Sequence, residues 1–275
     1  MKYLRLIFVA IIFLISVTTL ILGGLYFYRN KEKKTLASAD RKQVAGSFIK
    51  LSAGVTHYQL SAADTGQVVV LLNSFTTPYY VWDSTYNYLV KHGCRVLRYD
   101  PYGCGYSDRP DSIYNNTLYY NQLSQLIKAL NLPTPVSLVG LAFGGTIATG
   151  FTVKYPNLIN KVILINPNYE NVKPDKPEFV ARYYETIHPN ERAESQLNNF
   201  KHPENYRRDW LSKYRVQMKY KGFINALVST MYNYNYDGRT SNKLLHATHK
   251  PVLLIWGRDD ERVSFSFTDS IRNLL

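Results

Sequence analysis

At 275 residues the chain is long enough for one α/β domain of roughly 230 residues with a full core, plus a short appendage. Its formal net charge is +13, but residues 1–45 hold eight Lys and Arg against two acids, so +6 of the excess flanks an apolar segment and the other 230 residues carry +7. No block of like charge marks the domain, which excludes a dedicated nucleic-acid surface, and two cysteines, Cys94 and Cys104, are too few for a disulfide framework.

Residues 6–28 form a run of 23 without a charge, long enough to cross a hydrocarbon core of about 30 Å at ~1.5 Å per residue. A transmembrane anchor over residues 1–30 is expected, and with it a single-pass membrane protein whose partner is the lipid bilayer. A cleavable signal peptide is the competing reading, because Ala37-Ser38-Ala39 resembles a cleavage site; the block Arg29-Asn30-Lys31-Glu32-Lys33-Lys34 between it and the apolar run argues for retention. The Lys/Arg balance, Lys2 and Arg5 against Arg29, Lys31, Lys33 and Lys34, leans weakly toward a cytoplasmic domain.

A polar linker over residues 31–45 leads into strand-like segments at 47–51 and 56–61. Val68-Val69-Val70-Leu71-Leu72 is a continuous apolar run bounded by Gly66 and Asn73, the pattern of a parallel strand covered on both faces. Helix-like residues 81–91, a strand at 94–100 and an amphipathic helix at 118–130 follow. Residues 136–141 read as a strand that breaks at Gly140 and continues as a helix of small residues to about Tyr155, before another strand at 162–167. This alternation predicts right-handed parallel crossovers and a mostly parallel sheet with helices on both faces.

From residue 168 to 248 the rhythm gives way to a Tyr- and Asn-rich helical insertion, with helices expected at 178–187, 206–220 and 222–232. In the second of these, Arg207, Arg208, Lys213, Arg215 and Lys219 accompany a stripe of Trp210, Tyr214 and Met218. The stripe either faces the core, leaving the cations in water, or lies on a bilayer. Residues 251–256 restore a buried strand, and 266–275 read as a helix.

Four stretches in this order resemble the α/β-hydrolases of the esterase and lipase type. They are Gly140-Leu141-Ala142-Phe143-Gly144-Gly145, Tyr99-Asp100-Pro101-Tyr102-Gly103-Cys104-Gly105-Tyr106-Ser107-Asp108-Arg109-Pro110, Asn166-Pro167, and Leu254-Ile255-Trp256-Gly257-Arg258-Asp259-Asp260. The resemblance covers residues 46–275, makes 168–248 a helical cap, and implies an α/β-hydrolase fold that acts on carboxylic esters, with an acyl ester or other small apolar molecule as ligand.

The family places a serine at the strand-to-helix corner, reading GxSxG. Here that position holds Ala142. The resemblance assigns the triad acid to Asp260, with Asp259 as its fallback, and the oxyanion amides to Phe75 and Phe143; Asn73-Ser74 stands where His-Gly usually precedes the first amide. The family's histidine follows one further strand and helix, beyond Leu275, and none of the six histidines present fits its position. These departures imply a degenerate, C-terminally truncated and catalytically impaired member. A binding or scaffolding protein that keeps the fold is the alternative, and an enzyme using Cys104 or Ser137 is a third reading, weakened because neither sits at the exposed corner and no histidine is placed to activate them. Each histidine reads as an ordinary polar or capping residue. No Cys/His cluster has metal-ligand spacing and no phosphate-binding loop appears, so neither metal nor cofactor is expected. Asn115-Asn116-Thr117 is a glycosylation sequon, meaningful only in a secretory lumen.

Overall fold

The computed structural model describes all residues except Met1, Asp64, Asn171, Val172, Tyr206 and Glu261, and the side chains of Asn199, Arg207 and Arg208 are likewise outside the description. Its first element is α1 (Lys2–Arg29), a single helix with no buried residue, apolar and long enough to cross a membrane. A short turn of helix, α2 (Ser38–Arg41), precedes the domain.

The domain is built on one seven-stranded sheet. Its strands are β1 (Ser47–Leu51), β2 (Gly54–Leu60), β3 (Val68–Leu72), β4 (Arg95–Tyr99), β5 (Val136–Leu141), β6 (Ile159–Ile165) and β7 (Val252–Ile255), arranged in the order β1-β2-β4-β3-β5-β6-β7. β1 and β2 form an antiparallel hairpin, β2 pairs antiparallel with β4, and every later pairing is parallel. β3 is wholly buried, and its side chains alternate between two cores because successive residues of a strand point to opposite faces. Val68, Val70 and Leu72 join the core under α4 (Asn116–Ala129) and α5 (Phe143–Lys154), whereas Val69 and Leu71 join Trp82 and Tyr86 beside α3 (Asp83–Lys91). The Asn115 side chain accepts from the Leu118 N–H and caps α4, so the sequon asparagine already has a structural task.

The insertion contains α6 (Glu178–Ile187), α7 (Pro189–Glu194), α8 (Arg207–Gln217), α9 (Phe223–Asn233) and α10 (Gly238–His246), and α11 (Phe267–Arg272) follows β7. It has an apolar core of its own, in which Leu211, Tyr214 and Met218 meet Ala181, Leu197, Phe223 and Leu227. Trp210 packs against the same cluster, so the stripe of α8 faces inward. The start assigned to that helix, Tyr206, lies outside the described residues, as do the side chains of Arg207 and Arg208.

The polar linker does not hang free. The Lys34 N–H donates to the Lys219 carbonyl at 2.9 Å and the Lys221 N–H donates to the Lys34 carbonyl at 2.7 Å, a short parallel bridge onto the cap. Two residues earlier, Glu32 Oε1 accepts from the Ile224 N–H at 2.6 Å, at the amino end of α9, where the first amides have no intrahelical acceptor. Further along, the Arg41 guanidinium donates to Asp108 Oδ1 at 2.5 Å and to the Tyr106 carbonyl.

Candidate active site

The corner between β5 and α5 carries the geometry of a nucleophile turn. Ala142 has φ +49° and ψ −110°, a left-handed conformation that an L-residue adopts only when its surroundings force it, at a cost of about 1–3 kcal/mol. The forcing is visible. The Ala142 N–H donates to the Ile165 carbonyl and its carbonyl accepts from the Gly145 N–H, both at 2.9 Å. A Cβ on Gly140 would come within 2.4 Å of the Gly144 carbonyl oxygen, and one on Gly144 within 2.2 Å of the Leu72 carbonyl oxygen. Both positions therefore require glycine if β5, β3 and the start of α5 are to approach this closely.

Ala142 lines a cavity of about 450 Å³ beneath the cap. Phe75 and Phe143 line it too, their rings 5.4 Å apart and edge to face. Phe143 is the first residue of α5, so its N–H is one of the amides a helix leaves without an internal acceptor. The loop carrying Phe75 lacks the usual glycine yet is firmly held. Thr76 turns at φ +58°, its carbonyl accepts from Gln217 Nε2 at 2.8 Å, its hydroxyl meets the Tyr214 hydroxyl at 2.8 Å, and the Asn73 amide donates to the Tyr99 carbonyl. Thus α8 of the cap braces the loop.

Asp260 follows β7, but its carboxylate serves its own turn. One oxygen accepts from the Arg262 and Val263 N–H groups at 2.7 and 2.8 Å, and the other accepts from the Asn166 side-chain amide. Arg262 and Val263 reach the cavity wall; its fallback, Asp259, pairs instead with exposed Lys201. A family model described as the alpha/beta hydrolase fold matches residues 67–266, which span the corner, the cap and this acid turn.

The chain belongs to the α/β-hydrolase fold family.

Within that family it is similar to the AB hydrolase superfamily protein YfhM of Bacillus subtilis, 23% identical over 243 residues that cover 79% of this chain and 82% of the relative. Among solved structures it is similar to an enol-lactonase of Burkholderia xenovorans LB400, with a TM-score of 0.70 at 20% identity over 83% of this chain and 87% of that one. An esterase of Exiguobacterium antarcticum gives a TM-score of 0.68 at 20% identity, over 84% and 87% of the two chains. At such identities the structural likeness carries the fold alone.

Two further histidine environments bear on this α/β-hydrolase-fold site. His188, read from sequence as an ordinary polar residue, lines the cavity with Ala142; its Nδ1 lies 2.9 Å from the Tyr184 carbonyl and its Nε2 4.0 Å from Glu191. His57 is buried with Nδ1 2.7 Å from Asp100 and Nε2 2.9 Å from the Ala45 carbonyl, so both nitrogens are engaged. Asp100 also accepts from the Tyr79 and Tyr106 N–H groups, which makes this pair a clasp for the loop after β4. Cys104 is buried, and burial pushes its thiol up to about 12, leaving it protonated at neutral pH. Ser137 is buried in β5 and accepts from Gln67. Neither residue reaches the cavity.

The cavity wall is more polar than an acyl pocket requires. Glu185 and Arg192 make a bidentate pair there, with Arg192 Nε 2.8 Å from Glu185 Oε2 and its Nη2 on Oε1. Burial works against the guanidinium, but its hydrogen bond to the Glu185 carboxylate outweighs that and leaves Arg192 held above its ordinary value. Among the described residues no group of three His, Cys, Asp or Glu is placed to hold a metal.

Proposed function

We propose that this chain is a membrane-held member of the carboxylic-ester hydrolase lineage whose pocket receives an acyl-ester-like ligand but does not cleave it by serine chemistry. The observation that carries the reading is Ala142, set at the strained corner and opening into the cavity, where a methyl group replaces any nucleophile. Phe75, Phe143 and Val263 suit an apolar portion of the ligand, and His188 with the Glu185–Arg192 pair suits a polar one. In the family mechanism a histidine activates the nucleophile and an acid orients that histidine. Here the carboxylate of Asp260 is occupied by Asn166, Arg262 and Val263.

The test is labelling of the native protein with a fluorophosphonate probe, with heat-denatured protein as blank. No labelling above the blank is expected, since losing the nucleophile alone costs several orders of magnitude. Ala142→Ser is expected to remain close to the blank. Specific labelling of the unmodified protein would overturn the reading.

Membrane retention is supported by two observations: α1 buries nothing against the domain core, and the linker after it is built into the cap through Glu32 and Lys34. Cleavage at Ala39 would remove that docked segment. Alkaline carbonate is expected to leave the protein in the membrane pellet; release with a new amino terminus near Asp40 would identify a signal peptide instead.

A further inference from the structure

Helix α6 is built inside out. Around its axis the residues Phe179, Val180, Tyr183, Tyr184 and Ile187 fall at i, i+1, i+4, i+5 and i+8, which is one face of a helix. That face is the outward one: Phe179 is 72% exposed, Val180 37% and Tyr184 41%, with Tyr183 and Ile187 half-buried. The inward face is the polar one, where Glu185 and Thr186 are buried beside Ala181. Arg182 there bonds to Glu178 and, at 2.7 Å, to Asn225 Oδ1 of α9, while Glu185 holds Arg192. A surface helix in water shows the reverse arrangement.

The same face is continuous with α1. The Tyr183 hydroxyl donates to the Leu22 carbonyl at 2.9 Å, and the Tyr183 and Tyr26 rings stack with centroids 6.2 Å apart. Cations border it: Lys33 Nζ reaches the Phe27 carbonyl at the end of α1, and Lys176 Nζ sits 4.3 Å from the centre of the Tyr184 ring.

We propose that α6 lies in the headgroup region of the phospholipid bilayer that α1 crosses, with Phe179, Val180 and Tyr184 turned towards the lipid and Tyr183 packed on α1. The proposal rests on the reading of α1 as a membrane span. Apolar side chains of an interfacial helix enter the boundary between headgroups and acyl chains, tyrosines suit it because ring and hydroxyl prefer its two sides, and the flanking lysines meet the phosphates. Tyr184 belongs both to this face and to the wall of the cavity over Ala142, so the mouth of the cavity opens at the lipid surface. A ligand with an acyl chain and a polar head therefore enters sideways from the membrane.

The test uses the full chain in phosphatidylcholine vesicles with and without phosphatidylglycerol. Phe179→Cys, Val180→Cys and Tyr184→Cys are made in a Cys94→Ser background, Cys104 being buried, and each is labelled with an environment-sensitive dye. Tyr88→Cys on α3, also exposed, serves as reference. Nitroxide-bearing lipid is expected to quench the three α6 labels several-fold more than the reference, with α1 retained after carbonate treatment and stronger quenching in the anionic vesicles. Quenching equal to that at Tyr88, with the protein still resistant to carbonate, overturns the placement of α6 and leaves the span standing. Extraction by carbonate overturns both.

Discussion

Helices α6 and α8 of the cap carry comparable aromatic stripes and face opposite ways. α8 turns Leu211 and Tyr214 inward, followed by Met218, and keeps Lys213 and Arg215 outside. α6 turns its charged residues inward and its aromatics out. The difference lies in the partners each inward face finds. Tyr214 meets the Thr76 hydroxyl and Gln217 bonds the Thr76 carbonyl and the Gly105 N–H, so the few polar groups on a mostly apolar face are satisfied by the loops beneath it. Behind α6 wait Arg192 and Asn225, which reward carboxylate and guanidinium. A stripe in a sequence establishes a face, and the groups it can bond decide where that face points.

The largest effect that sharpens this contrast is expected on the α8 side. Tyr214→Ala leaves a cavity in the cap core and should cost about 3–5 kcal/mol in urea unfolding of detergent-solubilised protein. A loss under 1 kcal/mol would mean that α8 does not roof the core. On the inward face of α6, Glu185→Ala strands the Arg192 guanidinium beside the cavity and should cost about 3 kcal/mol by the same measurement.

Smaller effects are expected at Glu32. Glu32→Ala removes the cap of α9 and should cost about 1 kcal/mol. Burial lifts this carboxyl above its ordinary value of 4.5, although the Ile224, Gly222 and Phe223 amides and the Arg109 charge pull the other way. The docked state therefore holds the proton more tightly than the undocked one. Its stabilisation is full below pH 4.5 and is lost as pH rises through the raised value. Glu32→Gln, which keeps an acceptor without the charge, should gain in Tm over the unmodified protein between pH 4.5 and 8; a constant difference would contradict the buried placement. Least affected is the outward face of α6, where Phe179→Ser should change stability in detergent by less than about 0.5 kcal/mol.

The sheet was largely legible in advance because its strands advertise burial on both faces. β3 and β5 have the bounds expected from the sequence, and β4, β6 and β7 differ only at their ends. Helix α6 was expected at its observed bounds, whereas α7 and α10 were missed: one is a six-residue helix, and the other is announced mainly by its Asp237 cap, which bonds the Thr240 N–H. The corner at Ala142 was legible because glycine spacing encodes close approach. The cavity wall was not. Glu185, His188 and Arg192 become neighbours of Ala142 only when the cap folds over the sheet, and no local pattern announces that. The His57–Asp100 clasp joins residues 43 apart in sequence, so the histidine looked ordinary. Docking of the linker was invisible for the same reason, since an acidic residue among lysines gives no sign that it caps a helix some 190 positions away.

The strap formed by Glu32 and Lys34 also fixes a length. A free tether spanning residues 30–45 would let the domain wander by roughly 20 Å, as chain statistics of about 5 Å times the square root of residue number imply. Pinned three to five residues beyond α1, that slack is gone, and the height of the cavity mouth above the end of α1 becomes a property of the fold. Extra residues inserted after Asp40 would leave this height unchanged. The same insertion between Arg29 and Glu32 would break that spacing and leave the Tyr183 contacts with Leu22 and Tyr26 to hold the cap against α1.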